Sequence, residues 1–327
     1  MSTGRIRVAV VGVGDFGRNH ARVYRELPDA ELVGVVDSDA ERAARVAAEF
    51  GTTALPNIEV LEGRVDAVSL AVPTAQHARI GSELLRRGLD VLVEKPMAAS
   101  LADADELIAA AEASQRKLQV GHLERFNPAV IAVESIMRRP LFFEVHRLGI
   151  FSPRSLDIDV IFDVMIHDLD ILLALVKEPV TDLKAVGIPV VSEKVDIAHA
   201  RLEFAGGAVA NVTASRVSTE RVRKMRFFQE QEYVSLDYTR QDALRVRVNK
   251  PGPEPDFGFE KLATEPKEPL RAELESFLES VRARSTPRVD GAAGRRALEL
   301  AERVAASILD HGKRVQLSAF VSPMAEK

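Results

Sequence analysis

The sequence contains no cysteine, which excludes disulfide bonds and thiolate metal ligands and suits a reducing cytoplasm. It also lacks an excess of basic residues: 44 Lys and Arg stand against 49 Asp and Glu, a formal net charge of −5. Bulk electrostatics therefore do not favour nucleic acid or an anionic membrane as a partner. No apolar run approaches the roughly 20 residues that a membrane helix needs. The start, MSTGRIRVAVVGVG, lacks a signal-peptide layout, so we expect a cytoplasmic, globular protein.

The first part of the chain alternates apolar strand patterns with helical patterns. The strand patterns are RIRVAVVG (5–12), ELVGVVD (31–37), VDAVSLAVP (65–73), LDVLVEKP (89–96) and KLQVGH (117–122). Continuous apolar strands separated by helices are typical of a parallel sheet that is buried on both faces. The sequence therefore predicts an α/β protein in which residues 1–125 form a doubly wound Rossmann domain.

After residue 125 the strand patterns follow one another without helices between most of them. They are LFFEVHRLGIF (141–151), DLKAVGIPVVS (182–192), DIAHARLEFAG (196–206), AVANVTASRVS (208–218), RKMRFFQEQEYVSLDYT (223–239) and ALRVRVNK (243–250). This order predicts an α+β domain over 126–327 with a large, open, mostly antiparallel sheet. A helical pattern over 159–176 should cover one face of it, 251–266 should form a loop, and two further helices should follow.

A glycine-rich turn at the first strand-to-helix junction predicts a dinucleotide site. VGVGDFG places Gly12, Gly14 and Gly17 in the spacing that lets a backbone approach a pyrophosphate at a helix N-terminus. Asp37 stands twenty residues after Gly17, where an acid bonds the adenosine ribose hydroxyls. Its charge would repel a 2′-phosphate, which favours NAD over NADP, although Arg42 could in principle reach a phosphate. Further predicted cofactor contacts, in the turn or near strand ends, are Asp15, Phe16, Pro73, His77, Glu94 and Lys95.

The stretch FDVMIHDLD (162–170) concentrates groups that can move protons. Asp163 and His167 are four residues apart and would share one face of a helix, with Asp170 close to the same stripe and Asp168 turned away from it. The spacing is compatible with a metal site, with an acid/base site or with the first turn of an ordinary helix. Lys95 ends an apolar strand, at the edge of an open sheet where ligands bind.

Five motifs together resemble one family, that of glucose-fructose oxidoreductase, inositol dehydrogenase and MocA. They are VGVGDFG, AVPTAQH (71–77), VEKPMA (93–98), VGHLERFNP (120–128) and DVMIHDLD (163–170). The resemblance implies a Rossmann domain that holds NAD(P), a second domain with a large open sheet that covers the substrate and forms oligomer contacts, and a metal-free site. It assigns catalysis to Lys95, Asp163 and His167. Within that assignment, His167 would remove the hydroxyl proton and Lys95 would stabilise the developing alkoxide, although the two roles could be exchanged.

Local patterns narrow the substrate that the resemblance implies. GHLERFNPAV and the region around 151–172 are similar to family members that oxidise nucleotide-linked amino sugars, which favours UDP-N-acetylglucosamine, oxidised at its 3-hydroxyl for an aminotransferase of lipid A biosynthesis. Arg125, Arg154 and Arg216 are candidate partners of the diphosphate, and Asn127 of the sugar; Lys95 and His167 would also contact the substrate. A free polyol remains an alternative substrate, and a non-catalytic dinucleotide-binding sensor an alternative function. The exposed face of an open sheet predicts a homodimer or homotetramer.

Overall fold

The computed structural model describes residues 4–152, 158–250 and 252–317. Contacts divide the chain into two units, Met1–Phe126 with Lys267–Leu298, and Asn127–Pro266 with Glu299–Lys327. The helices are α1 (Asp15–Glu26), α2 (Ala40–Phe50), α3 (His77–Arg86), α4 (Leu101–Ala113), α5 (Pro128–Ile136), α6 (Ile166–Val176), α7 (Pro269–Ala283) and α8 (Gly291–Arg314). The strands are β1 (Ile6–Val11), β2 (Ala30–Val36), β3 (Thr53–Ala54), β4 (Ala67–Leu70), β5 (Asp90–Glu94), β6 (Leu118–Gly121), β7 (Pro140–Ile150), β8 (Val180–Ile188), β9 (Ile197–Phe204), β10 (Val209–Ser218), β11 (Val222–Gln229), β12 (Glu232–Asp237), β13 (Asp242–Lys250) and β14 (Asp256–Lys261).

The first unit is built on a parallel sheet, as the alternating pattern predicted. Within the described residues its six strands run in the order β3-β2-β1-β4-β5-β6, and every pairing is parallel. Strands β4 and β5 are buried along their whole length, which explains why most of their residues are apolar. The order reverses between β2–β1 and β4–β5, so the carboxyl ends of these strands border the crevice in which such sheets bind ligands.

A segment distant in sequence completes the core of this unit. In α7, Leu274 and Phe277 are fully buried and share one hydrophobic cluster with Val23 and Tyr24 of α1. The sequence-based division placed the whole of 126–327 in the second domain, because the pattern of an amphipathic helix does not reveal which sheet it will cover. The contacts instead assign 267–298 to the first unit.

The second unit contains the open, mostly antiparallel sheet that the sequence predicts. In the described part of the chain its eight strands run in the order β14-β13-β12-β11-β7-β10-β9-β8, with a single parallel pairing, between β7 and β10. Side chains alternate along β7: Phe143 and Val145 are buried, whereas Phe142 and Glu144 on the opposite face are partly exposed. One face of the sheet therefore belongs to a core and the other remains accessible within this unit.

Two predicted elements of this unit are wrong. The single strand predicted for 223–239 is a hairpin of β11 and β12, whose tight turn places Gln231 in the left-handed region at φ 58°. The turn carries neither glycine nor asparagine, so its sequence gives no turn signal. The loop predicted for 251–266 contains edge strand β14, in which the exposed Phe257 and Phe259 stand on either side of Gly258 and charged residues occupy both ends, so that the strand pattern is hidden.

Helix α8 covers the outer edge of β8. The Ala185 N–H donates to Ser307 Oγ at 3.0 Å, and the Arg303 guanidinium donates to the Val180 carbonyl at 3.2 Å. Two backbone groups on the edge of the sheet are thereby satisfied by side chains of a helix. No helix in the described ranges has both the length and the apolar composition to cross a membrane.

Candidate active site

The turn between β1 and α1 has the shape that a dinucleotide requires. Gly12 has φ +82°, and a Cβ there would lie 2.6 Å from the Ala71 carbonyl oxygen. A Cβ at Gly17 would overlap the Gly12 carbonyl oxygen, so packing within the protein requires both glycines. At Gly14, the N-cap of α1, no atom lies within 4 Å of an added Cβ. Gly14 therefore leaves an open approach to the helix N-terminus, where a pyrophosphate is stabilised.

A cavity of about 590 Å³ extends from this turn past the end of β2. Its lining includes four of the predicted cofactor contacts, Gly12, Gly14, Asp37 and Pro73. It also includes Arg42, the residue that could reach a phosphate. Sequence reasoning missed the rest of the lining. The missed residues include Pro56, Asn57, Ile58, Glu59, Gln76, Arg79 and Ile80. Most of these follow the carboxyl ends of β3 and β4, and this position was the signal that could have found them.

Asp37 is held in a fixed orientation at the end of β2. Its Oδ2 accepts the Val13 N–H at 2.8 Å and its Oδ1 accepts the Asp39 N–H at 2.9 Å, and the side chain is only 4% exposed. The two terminal nitrogens of the Arg42 guanidinium lie 3.4 Å from Asp37 Oδ1 and 3.2 Å from Asp39 Oδ2. The carboxylate retains lone pairs that can accept hydrogen bonds from ribose hydroxyls. A pre-oriented anion at this position fits NAD and opposes the 2′-phosphate of NADP.

We expect Asp37→Ser to lower NADH affinity about tenfold, equivalent to about 1.4 kcal/mol. NADPH affinity should rise, because the repelling charge is gone and Arg42 loses one of its two carboxylate partners. Fluorescence titration with both nucleotides measures the two changes. The double variant Asp37→Ser/Arg42→Gln is the control and should lose the gain for NADPH. An NADH/NADPH preference left unchanged by Asp37→Ser would contradict the assignment.

Lys95 follows the last residue of β5 and is partly buried. The Lys95–Pro96 peptide bond is cis. Glu94, beside it, is buried, and so is His77, the first residue of α3, which is 1% exposed. His77 Nε2 lies 2.8 Å from the Val72 carbonyl oxygen and Nδ1 lies 3.0 Å from that of Pro96. His77 thus links two strand-end loops, and its predicted contact with the cofactor stays a prediction.

In the second unit, FDVMIHDLD begins with one turn of π-helix. Residues Ile161–Met165 form this turn, and the Ile166 N–H bonds to the Ile161 carbonyl five residues back. Such single wide turns occur often at functional sites. Asp163 lies inside the turn and His167 follows it at the start of α6, and both side chains are partly buried rather than freely solvated. The α-helix predicted for 159–176 therefore has an irregular start at the two residues with predicted catalytic roles.

Asp168, whose side chain was predicted to point away from the other carboxylates, has a separate function. Its two carboxylate oxygens accept hydrogen bonds from Arg147 Nε at 2.7 Å and a terminal Arg147 nitrogen at 2.8 Å. Both side chains are buried, and the guanidinium lies 4.8 Å from the centre of the Tyr238 ring. This bidentate pair fixes α6 to β7 and therefore supports the position of His167. In the described residues no three His, Asp or Glu side chains are grouped as metal ligands would be.

The structure shows the surroundings of three of the four side chains that were predicted to bind the diphosphate or the sugar. Asn127 is 1% exposed; its Oδ1 accepts the Ala129 N–H and its Nδ2 donates to the Tyr238 carbonyl, both at 3.0 Å. This geometry makes Asn127 the cap of α5 and does not support a sugar contact. Arg216 donates to Asp196 Oδ1 at 2.7 Å and to the Ile158 carbonyl, which identifies it as a structural residue. Arg125 is partly buried, and Arg154 lies outside the described residues.

Both units of the chain are similar in sequence to known protein families. The profile of the GFO/IDH/MocA oxidoreductase family with an NAD-binding Rossmann fold matches residues 6–122, and that of the GFO/IDH/MocA C-terminal domain matches 129–234. A UDP-N-acetylglucosamine 3-dehydrogenase of Acidithiobacillus ferrooxidans is 39% identical over 93% of this chain and 97% of its own. A solved structure of UDP-N-acetylglucosamine 3-dehydrogenase from that organism matches with TM-score 0.88, at 38% identity over 93% of this chain and 98% of its own. An inositol 2-dehydrogenase of Saccharopolyspora erythraea is 34% identical over 55% of this chain and 57% of its own.

Proposed function

The chain belongs to the GFO/IDH/MocA family of NAD-binding oxidoreductases, as its motifs indicated, and we propose that it oxidises the 3-hydroxyl of UDP-N-acetylglucosamine to a ketone. The observation that carries this proposal is the 39% identity to a UDP-N-acetylglucosamine 3-dehydrogenase, because that similarity extends over 93% of this chain. The inositol 2-dehydrogenase matches only 55% of the chain. A nucleotide-linked sugar is therefore favoured over a free polyol.

The proposed chemistry needs one group that removes a proton and one that stabilises negative charge on oxygen. NAD, when bound, accepts the hydride from the carbinol carbon. His167 is assigned the removal of the hydroxyl proton, since imidazole titrates close to neutral pH. Lys95 is assigned the hydrogen bond that stabilises the developing alkoxide. Asp163 is assigned the orientation of the imidazole or of the sugar hydroxyls. The position of Asp163 within the π-helical turn, directly before the helix that carries His167, supports this assignment.

Arginine side chains are assigned to the diphosphate of the substrate, because a guanidinium binds phosphate oxygens bidentately. Arg125 and Arg154 keep this assignment. Arg216 does not, since its guanidinium is bonded to Asp196 and to the Ile158 carbonyl. The proposed substrate contacts likewise do not include Asn127. A 3-keto product has the carbonyl that an aminotransferase acts on, which is the class of enzyme we propose as the next step.

The test is NADH formation by the full-length protein with NAD and UDP-N-acetylglucosamine, beside myo-inositol and glucose. A carbonyl trap removes the product, because formation of the ketone is unfavourable at equilibrium. We expect Lys95→Ala to lower kcat by about 10²–10³-fold, the usual cost of removing one group that stabilises an oxyanion. NADH affinity, measured by fluorescence, should stay within about threefold. Lys117→Ala is the matched control, since Lys117 precedes β6 at the opposite end of the same sheet.

The substrates and variants separate the possible outcomes. Turnover of UDP-N-acetylglucosamine that Lys95→Ala abolishes and Lys117→Ala retains supports the proposal. Turnover of inositol or glucose alone would keep the reaction and reject the nucleotide sugar. NADH binding without turnover of any sugar would reject the enzyme and favour a dinucleotide sensor.

We further propose that the protein is a cytoplasmic homodimer or homotetramer. The accessible face of the second sheet carries a row of aromatic side chains, with Phe142 stacked on Phe228 at 5.9 Å and Phe228 beside Tyr233 at 5.1 Å. Phe228 is 37% exposed in the single chain. Aromatic residues are enriched at protein interfaces, and a second copy would bury this row.

A further inference from the structure

Glu94 is a carboxylic side chain in an unfavourable place. It is the last residue of β5 and only 7% of it is exposed, although burial of a carboxylate without partners is costly. Its Oε2 accepts the backbone N–H of Lys95 at 3.3 Å. Strand β6 has no side chain at the paired position, Gly121, where a Cβ would lie 2.8 Å from Glu94 Oε1. The sheet therefore provides space for this carboxylate beside Lys95.

The partner of Glu94 is a histidine on the dinucleotide-binding helix. His20 Nε2 lies 3.0 Å from Glu94 Oε1, and His20 is completely buried in the second turn of α1. The Phe16 ring packs beside the imidazole at 5.5 Å between ring centres. Because no part of His20 is accessible, it does not touch a substrate or cofactor. It acts only through the groups packed around it.

The stability of the fold does not by itself explain why His20 and Glu94 are paired in the core. A buried pair of ionisable groups loses hydration, and apolar residues of similar volume commonly replace such pairs without loss of stability. In addition, His20 Nδ1 has no hydrogen-bond partner among the described residues. A core selected only for packing would avoid both features. The pair is thus better explained by what it fixes, namely the position of Glu94 and of the residue after it.

The other side of Lys95 is held in a similar way. The carbonyl oxygen of Pro96, the residue after Lys95, lies 3.0 Å from His77 Nδ1, and His77 Nε2 lies 2.8 Å from the Val72 carbonyl oxygen in the loop after β4. Burial lowers the pKa of His77, while the two carbonyl oxygens oppose that effect. Each residue adjacent to Lys95 is therefore tied by a buried histidine to another element of the cofactor pocket.

We infer that His20 is a positioning residue: through Glu94 it fixes Lys95 relative to the helix that binds the dinucleotide, and His77 supports the same turn from the other side. The inference rests on the proposed role of Lys95. It assigns no bond to substrate or cofactor to either histidine. It explains in one arrangement why Glu94 is buried, why β6 has glycine opposite it, and why the α1 helix contains a buried imidazole.

The test compares three variants of the full-length protein. His20→Leu removes the nitrogen that bonds Glu94, whereas His20→Gln retains an N–H donor of similar reach. Tyr24→Phe is the matched control, because Tyr24, one turn later on α1, is also fully buried and bonds Ser69 of β4 at 2.8 Å. It breaks a buried hydrogen bond between the same helix and the same sheet and leaves the His20–Glu94 contact to β5 in place. Thermal melting shows that each variant is folded.

We expect His20→Leu to lower kcat by about 30-fold while NADH affinity and the KM of the sugar stay within about threefold. His20→Gln should recover most of the loss, and Tyr24→Phe should resemble the wild type. An equal loss of kcat in His20→Leu and Tyr24→Phe would identify a general packing effect and overturn the inference. A loss of NADH affinity that accounts for the whole effect would assign His20 to cofactor binding and overturn it as well.

A second readout does not depend on turnover. After reductive methylation with ¹³C-formaldehyde, Lys95 gives an NMR signal that Lys95→Arg identifies by its disappearance. The signal should shift in His20→Leu and stay in place in Tyr24→Phe. An unshifted signal would overturn the inference. If the wild type turns over no sugar, the proposed function fails, and the NMR result still decides whether His20 positions Lys95.

Discussion

Gly17→Ala is expected to reduce NADH affinity by at least about 100-fold, equivalent to about 2.7 kcal/mol. The added methyl group would overlap the Gly12 carbonyl oxygen, which is backbone and cannot rotate away. The first turn of α1 must therefore move from the end of β1, and the amide groups that face the pyrophosphate move with it. Fluorescence titration with NADH measures the loss, and circular dichroism confirms that the remainder of the protein is folded.

Gly14→Ala is the matched variant, three residues away in the same turn. No protein atom lies within 4 Å of the added methyl group, and Gly14 has φ −63°, so the fold and its thermal stability should be unchanged. Any loss of NADH affinity in Gly14→Ala then comes from contact between the methyl group and the cofactor. Wild-type NADH affinity in Gly17→Ala would contradict the assigned role of this turn.

Arg147→Met is expected to destabilise the protein by about 3–5 kcal/mol, because it leaves Asp168 as a buried and uncompensated charge. The carboxylate would lose both Arg147 hydrogen bonds in a location where Asp168 is 1% exposed. The guanidinium would also no longer lie over the Tyr238 ring. Urea unfolding measures the change in the free energy of unfolding.

Arg226→Met is the control for this prediction. Arg226 pairs with Glu144 on the accessible face of the same sheet, and about half of its side chain is exposed. Its loss should cost less than about 1 kcal/mol. The double variant Arg147→Met/Asp168→Leu should be more stable than Arg147→Met, since no charge remains in the core. Equal stability of Arg147→Met and Arg226→Met would refute the account of the buried pair.

The first sheet was predictable because its signals are local. Strands such as 67–70 and 90–94 are buried on both faces and therefore mostly apolar, and the glycines at 12 and 17 are required by close backbone contacts. All five predicted strands are confirmed in the parallel sheet, which also contains the short strand β3 that was not predicted. The same local logic found Asp37, because the distance from the glycines to the end of the second strand varies little in this type of fold.

The features that escaped prediction join residues far apart in sequence. His20 and Glu94 are 74 residues apart, and neither segment shows that the two side chains will pair. The sequence around Arg147 did not indicate that this residue would pair with Asp168. The sequence of the helix at 269–283 did not indicate which of the two sheets the helix would cover. The hairpin at Gln231 was missed for a different reason, since its left-handed residue is one that rarely marks such a turn. Long-range pairing depends on the whole fold and leaves little trace in any one segment.

The two edges of the second sheet differ in what they permit. At β8, side chains of α8 occupy the Ala185 amide and the Val180 carbonyl, so an incoming polypeptide would compete with bonds that already exist. At the opposite edge, β14 is paired with β13 alone among the described strands, and its charged residues Glu260 and Lys261 are exposed. A strand from another polypeptide would therefore add to this sheet at β14 and not at β8. The charged side chains on β14 would limit the growth of fibrils from that edge.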